Sequence, residues 1–200
     1  MNKKNIIKAV PYGVSAAAFL ALIFVPVFSN GAGEVFSVWS LLAASLAFFG
    51  SMGEIAAASK LLGADYPSMI NTYGVLTSIF TVALFVMLTV GCVLAVLKTI
   101  RTCSNDDATA KNPEINIPLF GFAGYVVLVK FVVPLIFNTA IGRKAPQLTS
   151  DSVSQIISNA AKIPACDATW LSVAGYITVA VAVAAAIVVH LKGKKEQNNL

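Results

Sequence analysis

The chain is short of nearly everything that soluble chemistry uses. Its 200 residues include one histidine, three cysteines and nine acids, and charged side chains make up 12%, about half the share of an ordinary soluble domain. A lone histidine, His190, excludes a two-histidine zinc site of the H-E-x-x-H kind. No cysteine pair has metal-ligand spacing, so neither a metal nor any other cofactor is expected. Cys103 and Cys166 flank the apolar run 118–137 and so fall on opposite sides of a membrane, which removes any disulfide between them. Gly193-Lys194 lacks the strand and glycines of a phosphate loop. A Ser-His-acid arrangement would have to assemble around His190 with Glu196 of the tail as the nearest acid. The expectation is a protein that is not an enzyme, with an intramembrane enzyme as the least supported reading.

Apolar residues, by contrast, make up 58%, and the mean hydropathy is +0.81. These values describe an integral membrane protein with several spans. A net charge of +5 would suggest nucleic acid in a soluble chain. Here the cations stand beside apolar runs, where they set membrane orientation instead, so no nucleic acid is expected.

Residues 72–97, 118–137 and 168–189 are each long and apolar enough to cross roughly 30 Å of hydrocarbon. Residues 9–29, after Lys3, Lys4 and Lys8, form a fourth run. Val27-Phe28-Ser29 resembles a signal-cleavage site, but the length of the run favours an uncleaved first helix. The segment 35–63 is ambiguous: it is apolar at first, yet carries Ser37, Ser40, Ser45, Ser51 and Glu54. It can span, re-enter or lie on the membrane. If it does not span, Lys3, Lys4, Lys8, Lys98, Arg101, Lys111, Lys192, Lys194 and Lys195 share one side, against Lys60, Arg143, Lys144 and Lys162 on the other. If it spans, the two sides nearly tie. The asymmetry favours four spans with both termini cytoplasmic, in a plasma membrane or bacterial inner membrane. The expected fold is therefore all-α: a single polytopic domain over 1–200, built as a four-helix transmembrane bundle with external helical cap segments, and five spans as the alternative. Residues 30–71 and 138–167 are then external, and 98–117 and 190–200 form the cytoplasmic loop and tail.

Two features stand out as candidate sites. In the second external segment, Val153, Ile156, Ile157, Ala160 and Ala161 recur at helical spacing, after a capping pair Ser152 and Gln155 and before Pro164. Val153, Ile156 and Ile157 mark an apolar face that packs on the bundle or docks a partner. The other feature is Lys130, in the middle of 118–137. A lysine at the centre of a span costs about 2.5–3.5 kcal/mol. Pro134 adds to this, because it gives no N–H to the carbonyl of residue 130. Counting depth from the helix ends places Ser78, Thr81, Ser172 and Tyr176 near Lys130 as a polar pocket open to the outside. Glu54 is the acid available as its counter-ion, should 35–63 dip inward. A lysine held only by hydroxyls, a backbone carbonyl and water is the structural alternative.

Gly13, Ala17 and Ala21, and likewise Ala182 and Ala186, have the small-xxx-small spacing that suits helix packing or self-association into a homo-oligomer. In outline the layout is similar to claudin-like four-span proteins. The stretch around Trp39 has no cysteine pair, so nothing of that family is transferred. The functional expectation is a membrane protein acting through contacts with a membrane or external protein, as an accessory or assembly subunit or an immunity-type protector. The alternative is an oligomeric channel or transporter component using Lys130.

Overall fold

The computed structural model describes residues 3–30, 33–59, 66–104, 116–142 and 170–197. Val153, Ile156 and Ile157 lie outside them. The described chain runs α1 (Lys3–Phe24), β1 (Phe28–Ser29), β2 (Val35–Phe36), α2 (Val38–Ser59), α3 (Tyr66–Ser104), α4 (Asn116–Val127), a π-helical turn (Leu128–Val132), α5 (Val133–Gly142), β3 (Trp170–Leu171) and α6 (Val173–Gln197). Four helical stretches are long and apolar enough to cross a membrane: Asn5–Phe24, Asn71–Ser104, Asn116–Ile136 and Val173–Leu191. Within α2 the apolar stretch Val38–Glu54 is shorter than these.

The ends of these helices differ from those read in the sequence, and each difference has a local cause. Helix α1 stops at Phe24 because Pro26 has no N–H to continue it, and Phe28–Ser29 becomes a strand instead. Asn30 then closes a turn: its N–H donates to the Glu34 carbonyl at 3.0 Å, its Nδ2 donates to Glu34 Oε2 at 2.9 Å, and its Oδ1 accepts from the Glu34 N–H at 2.9 Å. Gly33 supplies the positive φ of 83° that the turn requires. The result is a miniature antiparallel sheet of order β2-β1-β3, with Phe28 opposite both Phe36 and Leu171, and Ser29 opposite both Val35 and Trp170. An all-α reading misses this sheet. It takes residues from two expected spans, 9–29 and 168–189. Helix α2 opens on a reciprocal cap, in which Ser40 N–H donates to Ser37 Oγ and Ser37 N–H donates to Ser40 Oγ.

Contacts along α3 set the register of the bundle. Tyr12 lies under Lys98, Ala16 O accepts from Cys92 Sγ, and Gly13 faces Thr99, so α1 runs antiparallel along the second half of α3. Trp39 meets Phe85 and Phe48 lies against Gly74, so α2 runs antiparallel along the first half. It lies lengthwise along α3 rather than across the bundle. Pro118 lies against Gly91, Met87 against Gly121, and Thr81 bonds Tyr125, which places α4 on the middle of α3. The bundle therefore has two tiers: α1, α6 and the second half of α3 below the sheet, and α2, α5 and the first half of α3 above it.

Helix α6 joins α1 at one close approach. Val27, fully buried, accepts the Ser172 N–H at 2.9 Å, and a Cβ on Gly175 would collide with the Val27 carbonyl. Gly175→Ala is expected to destabilise the fold by about 1–3 kcal/mol, the usual cost of overpacking. Gly50→Ala, with open space around it, should be neutral or stabilise by roughly 0.5–1 kcal/mol through helix propensity. Unfolding midpoints in detergent check the pair, and equal behaviour of the two variants would deny the close approach.

Candidate functional site

The six residues expected to form one polar pocket divide among four places: α3, the start of α6, α2 and the π-helical turn. Ser78 and Thr81 are buried on α3. Thr81 Oγ1 lies 2.9 Å from the Thr77 carbonyl and 3.0 Å from the Tyr125 hydroxyl, so it is held by its own helix and by α4. Tyr125, which no sequence pattern singled out, is the cross-helix partner. Ser172 caps α6: its Oγ accepts the Gly175 N–H at 3.0 Å and donates to the Pro26 carbonyl. Tyr176, 60% exposed, points away from the bundle.

Glu54 is exposed on α2, and among the described residues no ion pair joins it to Lys130. Glu54 is therefore not its counter-ion. The reason is geometric. Helix α2 runs alongside α3, so the segment carries Glu54 up the outside of the bundle rather than dipping inward. The hydroxyls that seemed to make a polar face of this segment are satisfied locally, Ser45 by the Leu41 carbonyl and Ser51 by that of Ala47.

Lys130 sits in the π-helical turn. Val133 N–H donates to the Leu128 carbonyl five residues back, which widens the helix just before Pro134. A proline ring presses on the carbonyl four residues earlier, here that of Lys130, and the wider turn relieves the pressure. The lysine is only partly buried, and its Nζ lies over the Trp170 ring, 2.7 Å from the centroid, with Phe131 at 5.4 Å. Trp170 belongs to β3. Lys130 is therefore at the level of the sheet, where α1 ends and α6 begins, between the two tiers of the bundle. Depth counted along its own helix mislaid it because α4 and α5 rise past the ends of α1 and α6.

Several aromatics share this level. Phe28 packs on Phe122 at 5.5 Å and on Tyr125 at 5.6 Å, while Trp39 lies 5.9 Å from both Phe24 and Phe85. Both tryptophans of the chain, Trp39 and Trp170, lie here with about half of their surface exposed. Below, an apolar groove of about 210 Å³ opens between α3 and α4, lined by Val86, Met87, Val90, Leu94 and Pro118 among others. Among the described residues no cluster of histidine, cysteine or acid could hold a metal ion.

The hydrogen bonds rank the polar residues by consequence. Ser172→Ala removes a helix cap and the bond to the Pro26 carbonyl and should cost about 1–2 kcal/mol. Tyr125→Phe removes the hydroxyl that meets Thr81 and should cost about 0.5–1.5 kcal/mol. Glu54→Gln should leave the yield and unfolding midpoint unchanged. Thermal unfolding of the three variants in one detergent tests the order, and a loss with Glu54→Gln would show that the acid has a partner after all.

No protein-family model, curated protein or solved structure matches the chain.

Proposed function

We propose that the protein is a four-span membrane protein that acts through protein contacts, made by the tier above its small sheet. One distance carries the reading. From Thr81, at the sheet level, to Lys98 is 17 residues of continuous helix, about 26 Å at 1.5 Å per residue, close to the roughly 30 Å of a hydrocarbon core. At the far end stand Lys98 and Arg101, near Lys8 of α1, with Lys192, Lys194 and Lys195 in the last turns of α6. At the near end stand Lys130 and both tryptophans. Cations at one boundary and tryptophans at the other match the way membrane proteins mark their interfaces. The positive-inside asymmetry then puts both termini in the cytoplasm.

Helix α3 has 39 residues, about 58 Å, so its first 15 residues rise about 22 Å above that boundary. Helices α2 and α5 rise with it. The stalk they form is not polar: Leu46, Phe49, Leu76, Leu135 and Ile136 are all exposed. An apolar surface standing in water favours a protein partner that covers it. Conduction through Lys130 is less well supported, because the buried hydroxyls of Ser15, Ser45, Thr77 and Thr81 are all bonded to carbonyls of their own helices.

Purification in mild detergent, with the bound proteins identified, tests the proposal. A second protein in fixed ratio is expected. Leu46→Glu with Ile136→Glu should release it while the helical content of the bundle is unchanged. Recovery of the chain with lipid alone, by the wild type, would contradict the reading.

A further inference from the structure

The ammonium of Lys130, on a partly buried residue, has a ring on one side and, among the described residues, no acid paired with it. Its Nζ lies over Trp170, and Phe131 flanks it. Among the described residues no carboxylate pairs with it. An ammonium has three N–H donors, and an aromatic face takes up only the cation's field, leaving directed donors unused. The π-helical turn holds the side chain in this position, since the backbone before Pro134 is widened at this residue. Trp170 is fixed in turn by pairing with Ser29 in the sheet and is 54% exposed. The site is thus a cation on a ring held by the sheet, at the level of both tryptophans.

We propose that Lys130 and Trp170 together bind the phosphate of an anionic phospholipid headgroup, with the ammonium donating to the phosphate oxygens and the indole lying at the glycerol level. The proposal rests on the placement of the sheet at the membrane boundary. At that depth a phosphodiester is the anion in greatest supply, and a lysine near a lipid surface adds about 1 kcal/mol of attraction. The apolar surroundings, Phe131 on one flank and exposed Ile177 on the following turns of α6, suit acyl chains rather than a soluble anion. Free phosphate presents the same oxygens, so the test must separate the two sources.

Trp39→Phe leaves Trp170 as the single tryptophan. This variant is reconstituted into phosphatidylcholine vesicles in which a minor fraction of lipid is brominated near the headgroup, and tryptophan quenching is read. Brominated phosphatidylglycerol is expected to quench as if enriched about fivefold over the same fraction of brominated phosphatidylcholine, the ratio that ~1 kcal/mol of attraction gives. Lys130→Gln should abolish the excess and Lys130→Arg should retain it. Should Lys130→Gln fail to fold, competition by unbrominated phosphatidylglycerol on the parent protein must remove the excess. Equal quenching by the two lipids would overturn the headgroup site while leaving the membrane placement intact. No quenching by either would overturn the placement itself. Reversal of the excess by millimolar inorganic phosphate would overturn the lipid as source.

Discussion

The Val27 carbonyl is the point on which the arrangement turns. It accepts the Ser172 N–H, and Gly175 rests against it without a side chain. Ser172 closes the same junction by donating to Pro26 while capping the helix that begins after it. Two chain segments 145 residues apart are thereby joined through backbone atoms, and the direction of each is fixed. From this junction β3 is laid beside β1, and Trp170 is carried over Lys130. The end of α1, the start of α6 and the environment of the one cation on α4 and its π-helical turn are consequences of a single close packing.

Much of the helical framework was legible in the sequence because it depends on length and hydropathy alone. The four apolar runs reappear as four helical stretches. The ends were less legible. Pro26 and the Asn30-Gly31 pair carried turn information, but an apolar run absorbs such signals when only its length is read. Helix α3 continues past Lys98 to Ser104, with Lys98 and Thr102 buried against their neighbours, although a lysine there reads as the start of a solvated loop.

Lys130 illustrates a different limit. Its residue type and its proline were visible, and so was the expectation of strain. Its depth was not, because depth depends on where other helices stop. Once α1 and α6 end at the sheet, a residue at the middle of its own helix lies at the rim of theirs. The π-helical turn, which no periodicity announces, gives it room. With the proposed membrane boundary at the sheet, the cost of a mid-membrane charge falls away, and with it the need for Glu54.

The claim that joins these observations is that the small sheet marks one membrane boundary. Spin labels placed singly at the exposed α3 positions Leu76, Ile79, Val86, Val90 and Val93, in protein reconstituted into vesicles, measure it directly through their relative accessibility to oxygen and to a water-soluble nickel complex. Placement of the boundary at the sheet predicts oxygen-dominated accessibility at Val86, Val90 and Val93, a crossover near Ile79, and nickel-dominated accessibility at Leu76 unless a bound partner shields it. Oxygen-dominated accessibility at Leu76 equal to that at Val90, measured on the protein purified free of partner, would contradict it.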